Sequence, residues 1–226
     1  MPIAVSKIQA LCFDVDGTLS DTDDMFVRRL VIWLTPFRFL FARRNPHTFA
    51  RRIVMATESP GNLVFGISDR LGIDGYISRF GDLIYRRGLG ISPQPFLLIA
   101  GVQQMLAQLS QHYPLSIVSA RGQRNTLRFL EQFDLAGYFT AIATAHTCAH
   151  TKPFPDPILW AAGQMGVKPE SCLMIGDTVV DIKAGKAAGA QTVAVLCGFG
   201  QSGELEKAGA DLILPKTSQI TSILLA

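Results

Sequence analysis

The sequence predicts an α/β protein, a doubly wound parallel sheet with an all-α insertion between its first and second strands. Three observations carry this expectation. Six short apolar, β-branched runs occur at residues 8–13, 115–119, 140–144, 172–175, 192–196 and 212–214. Helix-like segments with recognisable ends lie between most of them, and such alternation implies parallel pairing through right-handed crossovers. Residues from about 21 to 98 break the rhythm, with apolar side chains at helical spacing and no strong strand pattern.

Each element follows from local chemistry. The run at 8–13 is interrupted only by Gln9 and reads as a buried strand. In Pro155-Asp156-Pro157, Asp156 is the expected N-cap and Pro157 the first helical residue of a segment ending at Gly166. A helix over 179–188 should stop at Gly189. Within the insertion, Phe49, Ile53 and Ala56, then Ile77, Phe80 and Ile84, repeat at helical intervals, with Gly61, Gly72, Gly81 and Gly88 as breaks. About four helices are expected there, and Ser92-Pro93-Gln94-Pro95 marks the return. The expected division is a core of residues 1–20 and 99–226 and a helical domain of residues 21–98.

At 226 residues the chain can bury one sizeable core with a small second domain. Hydrophobic residues make up 48% and charged residues 17%, which excludes a disordered chain. A net charge of +3, without a basic run interleaved with aromatics, argues against nucleic acid. Cys12, Cys148, Cys172 and Cys197 form no C-x-x-C pair, and three of them sit in or beside apolar runs, as reduced thiols in a cytoplasmic protein would. No leader is expected, because Asp14 and Asp16 arrive too early for a signal peptide. Residues 30–41 are apolar and flanked by Arg28, Arg29, Arg43 and Arg44, but they include Pro36 and Arg38 and fall short of the ~20 residues that span a bilayer. A core-packed helix is expected, with an interfacial anchor as the alternative. Every arginine lies between Arg28 and Arg128, most of them in the insertion; the paired ones read as solvated faces, although an arginine fork suits an anionic substrate.

Four segments carry the chemistry. Phe13-Asp14-Val15-Asp16-Gly17-Thr18 places two carboxylates at i and i+2 after a strand, where both can serve one site, and Gly17 allows the turn that follows. Their repulsion and lost hydration would be offset by a divalent cation. Ser119, with Ala120 and Arg121, ends the second strand, where a hydroxyl and backbone N–H groups can hold phosphate oxygens. Lys152 follows the third strand, placed to neutralise a carboxylate and a phosphoryl group. Asp177 follows the fourth strand and is expected to begin a helix, with Asp181 one turn later on the same face.

Together these residues resemble the haloacid dehalogenase superfamily of phosphohydrolases, and within it the phosphoglycolate-phosphatase-like branch, whose helical cap lies where the insertion lies here. The resemblance implies a Rossmann-like core and a helical cap. It implies Asp14 as nucleophile, Asp16 as general acid/base, Ser119 as phosphate ligand and Lys152 as neutralising cation. Gly17, Thr18, Ala120 and Arg121 complete the expected substrate loop. Mg²⁺ would be held by Asp14, the Asp16 backbone carbonyl and Asp177, with Asp181 directly or through water. Relatives often carry Asn where Ala120 stands, so Arg121 is a candidate second phosphate contact. Asp16 argues against dehalogenation, since dehalogenases of this superfamily usually lack that acid.

The implied reaction is Mg²⁺-dependent hydrolysis of a small phosphorylated metabolite, such as phosphoglycolate or a sugar phosphate, through an aspartyl phosphate. The alternatives are an intramolecular phosphotransferase resembling β-phosphoglucomutase, and a membrane-associated or binding module with vestigial chemistry. Membrane association is not expected, and the oligomeric state stays open. His146-x-Cys148-x-His150 matches no closed zinc pattern and reads as a loop near the site.

Overall fold

The computed structural model describes residues 3–21, 31–36, 46 and 96–226. The chain divides into two compact units, Met1–Asp21 with Phe96–Ala226, and Thr22–Pro95. The expected all-helical make-up of residues 21–98 lies almost wholly outside the described residues. Residues 31–34 are helical, and there Ile32 and Trp33 are exposed at 69% and 81%. Core packing of that segment is therefore not what the described residues show.

The first unit is a six-stranded, all-parallel sheet. Its strands are β1 (Ala10–Phe13), β2 (Leu115–Val118), β3 (Phe139–Ala143), β4 (Cys172–Gly176), β5 (Gln191–Val195) and β6 (Leu212–Leu214). The helices between them are α1 (Val102–Leu109), α2 (Gln123–Gln132), α3 (Asp156–Met165), α4 (Val179–Ala187) and α5 (Ser202–Ala208), and α6 (Ile220–Leu224) follows β6. All six predicted strands are present, with ends shifted by at most two residues.

Spatial order is β3-β2-β1-β4-β5-β6. Strand order therefore reverses beside β1, where β2 and β4 flank it, and such a switch point is where open α/β sheets bind ligands.

The pleat divides the core into two layers. Leu11 and Phe13 face a layer with Leu115, Ile117, Leu173 and Ile175, covered by Met105 and Leu106 of α1, Phe129 of α2 and Ile220 of α6. Ala10 and Cys12 face the opposite layer, where the small residues Ala143, Ala161, Ala162, Cys172 and Ala184 sit among Val118, Ile158 and Met174. Each fully buried Leu or Phe contributes on the order of 1.5–3 kcal/mol, so the central strands are firmly seated. That anchoring matters because the loops after β1 and β4 carry the acids.

Two local expectations need correction. Pro155, not Asp156, caps α3, and Asp156 is its first residue. The Asp156 carboxylate is instead 3.0 Å from His150 Nδ1, a partnership that draws it away from capping. The helix after β4 begins at Val179 with Thr178 as N-cap, so Asp177 lies in the loop rather than on the helix. Asp177 and Asp181 thus do not share a helical face. No helix among the described residues is long and apolar enough to cross a membrane.

Candidate active site

The site forms where β1 and β4 end side by side. The Asp14 N–H donates to Ile175 O at 2.9 Å, extending the ladder one residue past β1 and pinning Asp14 beside the end of β4. The chain then winds tightly: Val15 O accepts from Leu19 N at 2.9 Å and Ser20 N at 2.7 Å, and Gly17 N donates to Ser20 O at 2.9 Å. Gly17 has φ +74°, and a Cβ on it would sit 2.3 Å from Asp177 Oδ2. Backbone angle and space both demand glycine there.

Asp177 is wholly buried. Its Oδ1 accepts from Thr18 Oγ1 at 3.3 Å, and its Oδ2 accepts from the Phe199 N–H at 2.8 Å. A Cβ on Gly198 would lie 2.1 Å from the same Oδ2, so the loop after β5 wraps the carboxylate with bare backbone. Asp181 is the third residue of α4 and completes a capping box, its Oδ2 accepting from Thr178 N at 2.9 Å and Thr178 Oγ1 at 2.7 Å. This reciprocal cap holds Asp181 toward the helix N-terminus, and hence toward the strand ends.

Lys152 joins the acids. Its Nζ donates to Asp14 Oδ1 and to Asp181 Oδ1, both at 2.6 Å, with all three residues buried. Asp14, Asp177 and Asp181 each offer an oxygen within 4.8 Å of the others. Lys152 pairs with two of these carboxylates, while Asp177 is held by Thr18 Oγ1 and the Phe199 N–H. An all-oxygen set of three converging carboxylates fits a hard divalent cation.

The electrostatics agree. Burial raises the Asp14 carboxyl from its ordinary 3.8 to about 7, with Asp181 and Asp16 adding to the rise and Lys152 opposing it. Burial also works against the charge on Lys152, but Asp14 and Asp181 outweigh it and push the ammonium above its ordinary value. Lys152 therefore stays cationic while Asp14 resists ionisation until more positive charge arrives.

Asp16 stands differently. Arg121 grips it with two groups: Nε donates to Asp16 Oδ2 at 3.0 Å, and the terminal Nη2 is paired with Asp16 Oδ1. The Arg121 fork thus lies on an acid of the site, whereas the sequence suggested a phosphate contact. Ser119 is buried, and its Oγ accepts the Arg121 N–H at 3.1 Å. Ala120 is exposed on the loop that leads into α2. Thr18 is fully buried; its carbonyl accepts from Thr217 Oγ1 at 2.7 Å while its hydroxyl serves Asp177.

The structure therefore brings Asp14, Lys152, Asp177 and Asp181 together, and places Asp16 with Arg121 beside Ser119. Sequence reading missed Gly198 and the Phe199 N–H, whose only trace is a Gly-Phe-Gly after β5, and Thr217. It also missed the pair of His150 and Asp156; among the described residues no metal cluster includes the 146–150 motif.

Fold and site define a class: a doubly wound α/β protein with a buried carboxylate–lysine cluster, suited to a divalent cation, at its switch point. A family model described as haloacid dehalogenase-like hydrolase matches residues 85–195. A phosphoglycolate phosphatase of Nitrosococcus oceani is 32% identical over 128 residues, which span 56% of this chain and 57% of that protein. The pyrophosphatase PpaX of Bacillus cereus is 26% identical over 219 residues, covering 96% of this chain and 97% of that one. A haloacid dehalogenase-like hydrolase structure from Streptococcus pneumoniae superposes with a TM-score of 0.65 at 21% identity, covering 96% of this chain and 99% of that one. The chain is thus similar to the haloacid dehalogenase-like hydrolases in sequence and in fold.

Proposed function

We propose that this hydrolase is a Mg²⁺-dependent phosphatase acting on a small phosphorylated metabolite through an aspartyl phosphate on Asp14. One observation carries the reading: the buried Asp14 carboxylate, held at 2.6 Å by Lys152, shares a cluster with Asp177 and Asp181 at the β1/β4 switch point. Asp14, Asp177 and the Asp16 carbonyl, supported by Asp181, would hold Mg²⁺, which when bound neutralises charge on nucleophile and phosphoryl oxygens.

The chain's own groups do the rest. Asp14 attacks phosphorus in line and splits the reaction into two easier steps. Two like charges at 4 Å oppose each other by about 4 kcal/mol at an effective dielectric of 20, and Lys152 removes part of that opposition. Ser119 and the backbone at Gly17, Thr18, Ala120 and Arg121 orient the phosphoryl oxygens. Asp16 protonates the leaving oxygen and then takes a proton from the attacking water.

The substrate class rests on the relatives, a phosphoglycolate phosphatase and a pyrophosphatase by name. Both names describe small substrates carrying a second anionic group. The all-helical cap reading of residues 21–98 belongs to this proposal, as the place where selectivity is encoded, and so does a cytoplasmic location consistent with four free cysteines. The test is inorganic phosphate release from a panel of phosphorylated metabolites with Mg²⁺, for wild type and Asp14→Asn. Release by wild type alone supports the reading. Conversion of a sugar phosphate to its isomer with little free phosphate would replace it by a phosphomutase, and an active Asp14→Asn enzyme would refute the nucleophile.

A further inference from the structure

We propose that Arg121 is a positioning residue that acts through Asp16, rather than a ligand for the substrate's phosphate. The inference rests on the phosphatase reading above and adds a residue to it. Its basis is that two of the three guanidinium nitrogens are taken up by one acid. Nε and Nη2 engage both oxygens of Asp16, the bidentate geometry in which an arginine fixes the plane of a carboxylate as well as its place. A lysine would act as a point charge and leave that plane free.

The guanidinium is braced from behind. Its central carbon lies 5.0 Å from the Phe96 ring centroid and 6.0 Å from that of Phe129, and the two rings meet edge to face at 5.8 Å. Phe129 is fully buried in α2. Phe96 is clamped through its backbone, its N–H donating to Gln132 Oε1 at 3.1 Å and its carbonyl accepting from Gln132 Nε2 at 2.9 Å. The Arg121 main chain is tied as well, donating to Ser119 Oγ at 3.1 Å and accepting from the Ala145 N–H at 3.1 Å. Only 12% of the Arg121 side chain is exposed, against 32% for Asp16.

The arginine is thus part of the wall, and the acid is the partner that faces solvent. In the loop after β1, Asp16 lies beyond the β1–β4 ladder, so its side chain needs an external hold. A general acid/base contributes only if it is held where the proton must move. Arg121 supplies that hold, and the aromatic pair and Gln132 keep Arg121 in place.

The test is a double-mutant cycle on the full chain with Mg²⁺ and β-glycerophosphate, whose alkoxide leaving group needs a proton, as probe. It compares wild type, R121M, D16N and R121M/D16N. Methionine keeps an apolar stem against Phe96 and Phe129. R121M should lower kcat by about 10²-fold while KM moves by less than about threefold. Because the arginine works through Asp16, adding R121M to D16N should cost little more than D16N alone. R121K should recover only part of the loss, and it carries the same cycle if R121M does not fold. A rise in KM at unchanged kcat, or an equal loss from R121M in the D16N background, would overturn the proposal and make Arg121 a substrate contact. Either result leaves the phosphatase reading standing so long as wild type releases phosphate and D14N does not. Its own failure would appear as an inactive wild type or an active D14N.

Discussion

Two acidic neighbourhoods lie side by side at the end of β1, and they are balanced differently. Asp14, Asp177 and Asp181 are buried, with Lys152 paired to the first and last of them, whereas Asp16 is one-third exposed and gripped by the Arg121 fork. The first gathers three carboxylates in one buried cluster, and the second pairs one carboxylate with one guanidinium. Burial makes the contrast consequential, since uncompensated charge costs far more away from water. The three-acid cluster is therefore shaped to take a cation. The Asp16 pair is shaped to hold one carboxylate in one orientation.

Breaking the first neighbourhood should have the largest effect. D14N should fall below ~10⁻⁴ of wild-type phosphate release, because removing a covalent nucleophile removes the path rather than slowing it. Circular dichroism should show an unchanged fold, since Asn preserves the size of the side chain. D16N should also lose activity, but a leaving group that needs no proton should still allow Asp14 to be phosphorylated, seen as acid-stable labelling of the protein. Labelling in D14N and none in D16N would reverse the two assignments.

A smaller effect tests the cradle rather than the acids. In G198A the new methyl group would need space now 2.1 Å from Asp177 Oδ2. The carboxylate must shift, and groups that orient metal ligands typically cost 10–100-fold in metal affinity when changed. The Mg²⁺ concentration for half-maximal activity should rise by about tenfold or more, with kcat largely restored at saturating Mg²⁺. An unchanged Mg²⁺ requirement would show that Asp177 does not hold the ion.

The burial of Asp14 also predicts a pH dependence in EDTA. Asp14 binds its proton more tightly folded, at about 7, than at its ordinary 3.8. The folded state is favoured by that proton at low pH, and the advantage is lost as pH rises from about 4 through 7. D14N has no such proton to lose. Its melting temperature minus that of wild type should therefore grow across this interval, and Mg²⁺ should narrow the gap by stabilising wild type more. A gap that closes with rising pH would mean that Asp14 is ionised without the metal.

Much of this contrast was legible in the residues themselves, and the reasons are physical. The strands carrying Asp14 and Asp177 are buried on both faces, so they read as continuous apolar runs. The acids themselves are side-chain chemistry and show in any sequence. What escaped is what the backbone does. The Phe199 N–H that holds Asp177 is a group every residue but proline carries, so its role leaves no mark beyond the flanking glycines. Helix phase escaped for a related reason. Asp177 and Asp181 look like one helical face until the Thr178–Asp181 capping box sets the helix start two residues after Asp177. Arg121 was visible as a candidate, but its partner was not. The Asp16 side chain is 105 positions away in sequence, and only the β1–β2 pairing brings the two loops together.

The smallest expected effect lies at the far edge of the sheet and serves as a control on the comparison. Asp211 pairs with Lys186 and accepts from Thr192 N at 2.9 Å and Thr192 Oγ1 at 3.0 Å, joining the end of α5 to β5 and α4. Burial works to raise its carboxyl, but the Lys186 hydrogen bond and those from Thr192 prevail and hold it below the usual 3.8. A depressed carboxylate stabilises the fold above its unfolded value, and the contribution disappears as pH falls through the folded one. D211N should therefore cost about 1 kcal/mol at neutral pH by chemical denaturation, a difference that closes below pH ~4. Phosphate release and Mg²⁺ requirement should match wild type, because no group of the switch point touches this pair. A shifted Mg²⁺ requirement in D211N would show that the sheet edge and the acidic cluster are coupled, and the contrast between neighbourhoods would then extend beyond the loops that form them.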